Sequence, residues 1–154
     1  MPPRAAAFQT MNISFGVDIP FVHHLGFTMH RFEGGESELH YTPADEHLNS
    51  FQVAHGGACM TLLDVTMATA ARSVQPEIGV VTIEMKTSFM QPARGPLVAY
   101  GRLMHRTATM AFTEARIVDA AGRLCTHATG TFKYVKRLPV DGRGVHDLKP
   151  LSTD

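Results

Sequence analysis

The sequence predicts one α+β domain in which an antiparallel sheet wraps a single long central helix. Three observations carry this. Two strand-like runs precede the longest helical stretch and four more follow it, the order of an antiparallel α+β domain and not of a doubly wound one. That helical stretch is almost free of charge, so it belongs inside the sheet and not on a surface. The chain has 154 residues, of which 44% are hydrophobic, enough for one core.

The elements follow in order. Residues 19–25 read as a short helix, with Asp18 as its N-cap and Pro20 in its first turn. Residues 27–33 and 36–42 flank Gly34-Gly35, a hairpin signal, and Pro43 ends the second run. A polar loop, 44–54, leads into the long helix, 56–72. Beyond Pro76 the period changes from helical to strand-like. Over residues 80–90, Val81, Ile83, Met85 and Phe89 alternate with Thr82, Glu84, Lys86 and Ser88. Pro92 and Gly95-Pro96 close that run. Residues 97–106, 109–119 and 124–136 read as three further strands, the last two joined by the turn Asp119-Ala120-Ala121-Gly122. The domain is expected over residues 11–139, with 1–10 and 140–154 as loosely held segments.

Composition excludes several classes of function. Lys+Arg and Asp+Glu number 14 each, and a neutral chain without a basic block has no charge-driven grip on nucleic acid. No apolar run approaches the roughly 20 residues of a membrane-spanning helix, and residues 1–10 do not read as a signal peptide. Cys59 and Cys125 are far apart and form no CxxC pair or disulfide framework, so the expected setting is the reducing cytoplasm. His23, His24, His30, His40, His47, His105, His127 and His146 show no metal-ligand spacing such as HExxH, and no metal is expected. No GxGxxG or GxxxxGK[ST] motif is present.

The long helix carries the chemistry. Cys59, Leu62, Leu63, Thr66, Met67 and Ala70 follow the i, i+3, i+4, i+7 pattern of a wall against the sheet. Ala58, Val65, Ala68 and Ala71 are small enough for a second subunit to approach the opposite side. Asp64 is the one charge over residues 56–71. An ionised carboxylate left unpaired in such surroundings costs several kcal/mol, and no basic residue lies within a helical turn. Asp64 either faces water or bonds a neighbouring hydroxyl such as Thr61, or it is a functional carboxylate with a shifted pKa. His55-Gly56-Gly57 opens the helix, where the first amides lack intrahelical partners. Glycine leaves those amides uncovered, and with the helix dipole they suit an oxyanion, although a glycine pair also suits a plain helix start.

Asp64 lies eight residues after Gly56, about 12 Å along an ideal helix. An attacking oxygen and an oxyanion donor must both come within about 3 Å of one carbonyl group. If both act on one substrate, the Asp of one helix meets the glycines of another. The arithmetic predicts a site shared by two chains about a two-fold axis, with antiparallel helices.

The stretch His47-Leu48-Asn49-Ser50-Phe51-Gln52-Val53-Ala54-His55-Gly56-Gly57, followed by Thr61-Leu62-Leu63-Asp64, resembles the hotdog-fold acyl-CoA thioesterases of the phenylacetic-acid-degradation (PaaI-like) type. Thr82-Ile83-Glu84-Met85-Lys86-Thr87-Ser88-Phe89-Met90-Gln91-Pro92-Ala93-Arg94-Gly95 is similar to that family's next strand and turn. The resemblance covers roughly residues 19–135, and its composite spacing of Asn, His-Gly-Gly and Asp is more specific than any one piece. It implies hydrolysis of acyl-CoA thioesters at a homodimer interface, commonly within tetramers, with no cofactor beyond the coenzyme A of the substrate. Asp64 would activate water or attack the thioester. Gly56 would supply the oxyanion N–H, helped by Asn49, with Gly57 beside it. His55 would position this loop, and Thr82 would stand near the attacking water. Arg94 and Lys133 match basic positions near the CoA phosphates. Met60, Met67 and Phe51 could line an adaptable acyl slot. Other hotdog domains are hydratases or dehydratases, which space their His and acid differently, or non-catalytic acyl-CoA-binding regulators, which would lack the helix carboxylate.

Overall fold

The structure, a computed structural model, describes residues 12–136. The segments 1–10 and 140–154, expected to be loosely held, lie outside the described residues, as do the domain limits placed at 11 and 139.

Helix α1 (Pro20–Leu25) begins at Pro20, with Ile19 as its N-cap and no side-chain capping bond. Asp18 is therefore not the cap: Pro20 fixes the first helical residue, and Asp18 stands one position too early. Gly26, at φ 78°, ends the helix by donating to the carbonyls of Val22 and His23. Strands β1 (Thr28–Glu33) and β2 (Glu36–Tyr41) form the expected hairpin. Gly34 and Gly35 both have positive φ, 58° and 84°, as the tightest hairpin turns require. Helix α2 (Gly56–Arg72) comes next, then β3 (Gly79–Phe89), β4 (Leu97–Arg106), β5 (Met110–Asp119) and β6 (Leu124–Val135).

The six strands make one antiparallel sheet in the order β1-β2-β4-β5-β6-β3. It curves around α2, which touches every strand. Cys59, Leu62, Leu63, Thr66, Met67 and Ala70 are all buried against it, as the spacing predicts. Each large apolar side chain here contributes about 1.5–3 kcal/mol through burial. The helix lies so close to β4 that a Cβ on Gly101 would stand 2.7 Å from the Thr66 carbonyl oxygen, so only glycine fits. Ser37 Oγ reaches that same carbonyl at 2.6 Å.

Two expectations change. Ala58 and Ala71 do not face an open side; both are buried within this one chain, and the Tyr134 hydroxyl donates to the Ala71 carbonyl at 2.8 Å. The curved sheet covers more of the helix than a single wall would. What it leaves uncovered is narrower: Gly57 and Met60 are exposed, and Gly56, Thr61, Asp64, Val65 and Ala68 are half-buried.

The second change is in β3. Its pairing with β6 slips between Thr82 and Glu84, a β-bulge that interrupts the period-2 alternation. Thr82 stands opposite the buried Phe132, and Met85 opposite Gly130. Thr82 therefore shares the helix-facing side with Met85 instead of opposing it, although Thr82, Val81 and Ile83 are all exposed at this edge. Among the described residues β3 is also an edge strand, paired with β6 alone. Among the described residues, no helix is long and apolar enough to cross a membrane.

Candidate active site

Asp64 lies on the uncovered stripe of α2, where the helix runs beside β3. Thr82 Oγ1 donates to Asp64 Oδ1 at 2.7 Å. Thr61, the nearer hydroxyl in sequence, instead donates back to the Gly57 carbonyl at 2.8 Å, so it is not the partner of Asp64. Burial raises the Asp64 pKa above the ordinary value of 3.8, and the Thr82 hydrogen bond pulls in the opposite direction. Desolvation wins. Asp64 forms no ion pair among the described residues. The result is a half-buried carboxylate that is unusually basic for an Asp and held by one hydroxyl.

The start of α2 is organised by His55. Its Nδ1 accepts from the Gly57 N–H at 2.8 Å, and its carbonyl accepts from Ala58 N at 2.9 Å and Cys59 N at 3.1 Å. An accepting Nδ1 places the proton of the neutral ring on Nε2. The Gly57 amide is thereby taken, which removes it from the donors expected to face a substrate. The Gly56 N–H has no partner among the described residues. Of the four amides that this helix start leaves open, His55 accepts those of Gly57 and Ala58, its own N–H donates to the His47 carbonyl at 2.8 Å, and that of Gly56 is left over.

Asn49 holds the preceding loop. Its Oδ1 accepts from Phe51 N at 2.9 Å and Val53 N at 3.3 Å, closing a turn in which Gln52 has φ 60°. Ala54 N then donates to the Ala93 carbonyl at 2.9 Å, tying this loop to the β3–β4 connection that carries Arg94. An open cleft of ≈ 510 Å³ lies between them, lined among others by Asn49, Phe51, Gly56, Phe89, Met90 and Arg94. The Phe89 ring lies 3.4 Å from where a Cβ on Gly56 would stand.

The structure thus gathers Asn49, Phe51, Gly56 and Arg94 at one cleft, and Asp64 with Thr82 at a second point about 12 Å along the same helix. Other expected residues fall elsewhere. Met67 is fully buried under the sheet, so it lines no slot. Met60 is exposed on the helix stripe and outside the cleft. Lys133 pairs with Val81 and Met110 between the buried, helix-facing Phe132 and Tyr134. Alternation turns it to the outer face of the sheet, and it does not join Arg94 within one chain. Phe89 and Thr126 also line the cleft, and neither has a role assigned from the sequence. Strand period marks both as inward-facing, but the cleft is made by a loop from elsewhere in the chain.

Six antiparallel strands around one long helix define the hotdog class. The model of the thioesterase superfamily matches residues 51–126. Over 112 residues the chain is 30% identical to "Putative esterase SSO2140" of Saccharolobus solfataricus, covering 72% of this chain and 79% of that protein. The structure of the Escherichia coli PaaI protein, from the phenylacetic acid degradation operon, superposes with a TM-score of 0.71 at 20% identity over 80% of this chain and 87% of that one. The smu.793 protein of Streptococcus mutans, solved bound to acetyl CoA, superposes with a TM-score of 0.68 at 23% identity over 74% of this chain and 92% of that one. The chain belongs to the thioesterase superfamily and is a thioester hydrolase.

Proposed function

We propose that the protein hydrolyses acyl-CoA thioesters to a free acid and CoA, at sites shared between two copies of the chain. The observation that carries this reading is the division of labour along α2. An unpartnered Gly56 amide stands at its start, and a half-buried basic carboxylate, Asp64, stands two turns on. Neither reaches the other's position on one helix. Antiparallel pairing of two such helices sets the Asp64 of each chain opposite the Gly56 of the other. The long edge of β3, unpaired among the described residues, supports that pairing, with Val81, Ile83, Phe89 and Met90 exposed along it and Met60 exposed on the adjoining helix stripe. As the resemblance implies, two such homodimers would pair into a tetramer.

In this arrangement the thioester oxygen accepts from Gly56 N–H, where the helix dipole favours the developing negative charge. The Asp64 carboxylate drives attack on the carbonyl carbon, either by taking the proton of a water or by adding its own oxygen. Both routes release the thiol, a good leaving group, so a Ser-His pair is not needed. Thr82 positions the carboxylate, His55 positions the amide, and Asn49 shapes the loop beside it. Arg94, exposed at the cleft, offers a cation to the CoA phosphates. The acetyl CoA bound by the Streptococcus mutans protein supports CoA as the thiol.

The test is release of free thiol from a panel of acyl-CoAs, short aliphatic to aromatic to long chain, by the wild type and by Asp64→Asn. Hydrolysis of at least one member that the variant loses is the expected result. Equal activity of the two proteins on every member would remove Asp64 from the mechanism. An absence of thiol release by the wild type would leave only binding.

A further inference from the structure

Among the described residues four threonines of the core are buried, and three of them have hydroxyl partners. Thr66 Oγ1 donates to Leu62 O and Thr69 Oγ1 to Val65 O, each at 2.6 Å, and Thr113 Oγ1 to Gly130 O at 2.9 Å. Thr126 is the exception. It is 1% exposed, and its Oγ1 has no hydrogen-bond partner among the described residues. A buried hydroxyl left in that state destabilises a fold, and valine would fill the same space without that cost. Thr126 stands opposite Phe89 on the helix-facing side of β6, and it lines the cleft that also holds Gly56 and Arg94. A hydroxyl this enclosed meets a partner only when a group entering the cleft displaces part of its lining, and the exposed Phe89 opposite it is the side chain placed to give way.

The cleft itself indicates which group. Gly56 N–H marks the thioester end. Arg94, exposed and without an acidic partner among the described residues, offers the cation of the cleft. Phosphates occur only on the thiol side of an acyl-CoA, so a cleft joining an oxyanion donor to a cation takes the thiol side and not the acyl chain. What spans the two is the pantetheine arm, whose first amide lies two carbon atoms beyond the sulfur. We propose that Thr126 is a specificity-determining residue whose hydroxyl pairs with an amide of the pantetheine arm in the cleft between Gly56 and Arg94. This assignment rests on the acyl-CoA reading above and adds a recognition element for the thiol half of the substrate.

The experiment measures binding of CoA and of pantetheine by calorimetry, together with the melting temperature of each ligand-free protein. The variants are T126V, T126S, T87V and R94Q. Thr87 Oγ1 is also buried without a partner but lies outside the cleft, so T87V is the packing control. T126V is expected to melt higher than the wild type and to bind CoA and pantetheine more weakly by the same factor, about tenfold. T126S should restore the affinity. R94Q should weaken CoA and leave pantetheine unchanged, and T87V should change neither. Wild-type protein that binds no pantetheine would overturn the assignment. So would a T126V protein that keeps wild-type affinity for pantetheine, or one that melts at or below the wild type. Thiol release is scored separately: a protein that binds pantetheine through Thr126 yet hydrolyses nothing would refute the activity and leave this recognition standing.

Discussion

Thr82 Oγ1 donates to Asp64 Oδ1 across 2.7 Å, joining the edge strand β3 to the central helix. The bond exists because β3 carries a bulge just after Thr82, which keeps that hydroxyl on the same side as the helix-facing residues that follow. A carboxylate oxygen held by an O–H donor is fixed in rotamer as well as stabilised in charge. Thr82→Val is expected to lower kcat about tenfold with little change in KM, because a bond to a charged group is lost. Thr82→Ser should keep most of the activity. Asp64→Asn should cost at least about 10²-fold in kcat. Steady-state kinetics on the best acyl-CoA separate these outcomes, and a Thr82→Val enzyme with wild-type kcat would deny the bond a catalytic consequence.

The raised pKa of Asp64 has two consequences of defined sign. Activity that needs the ionised form should fall on the acid side with a midpoint above 3.8. In Thr82→Val that midpoint should move higher still, since the bond that lowers the pKa is gone. Stability runs the other way. A group whose folded pKa is raised favours folding below its unfolded value, and that contribution is lost as pH rises through the folded value. Asp64→Asn should therefore melt close to the wild type near pH 3 and above it at about pH 7. Melting curves taken across that range check the sign. A variant less stable than the wild type at neutral pH would mean that the carboxylate is well paired in the native protein.

A site divided between two chains makes a quantitative prediction about mixtures. A side chain on Gly56 meets the Phe89 ring, 3.4 Å from the position of its Cβ, so Gly56→Phe should crowd the cleft and shield the amide. Each variant alone, Asp64→Ala or Gly56→Phe, should be inactive. A hybrid of the two has one site with both defects and one with neither. Equal mixing with full exchange makes half of the dimers hybrid and restores about a quarter of wild-type activity. Absence of any rescue after exchange has been verified would place both groups in one chain's site.

Much of this architecture is local and therefore legible. The bounds of α2 follow from glycines at its start and an unbroken apolar period. The β1–β2 turn follows from Gly34-Gly35, where two successive left-handed residues are needed. Asp64 and Gly56 stand out because a lone carboxylate in an apolar helix and an unshielded helix start are visible without coordinates. What depends on the curvature of the sheet is not. The burial of Ala58 and Ala71 is set by strands remote in sequence, and so is the orphan hydroxyl of Thr126. The bulge at Thr82 leaves no mark on an alternating pattern, since one extra residue only exchanges the faces beyond it. Thr61 is closer to Asp64 in sequence than Thr82, yet its hydroxyl is captured by its own helix at the Gly57 carbonyl.

His55 separates a positioning role from a chemical one. Its Nδ1 caps the Gly57 amide at 2.8 Å, while the adjacent Gly56 amide stays available. Replacing a side-chain cap by alanine destabilises a helix start by about 1 kcal/mol, and it adds a second free N–H beside the first. His55→Ala is expected to lower the unfolding free energy by about that amount and to reduce kcat/KM modestly, within about tenfold, by loosening the oxyanion donor. His55→Asn, whose side chain also caps, should recover both stability and activity despite having no titratable group. The pH profile of the Asn variant should match that of the wild type. If His55 were instead the base, both variants would lose activity alike, and the limb of the profile assigned to Asp64 would vanish from each.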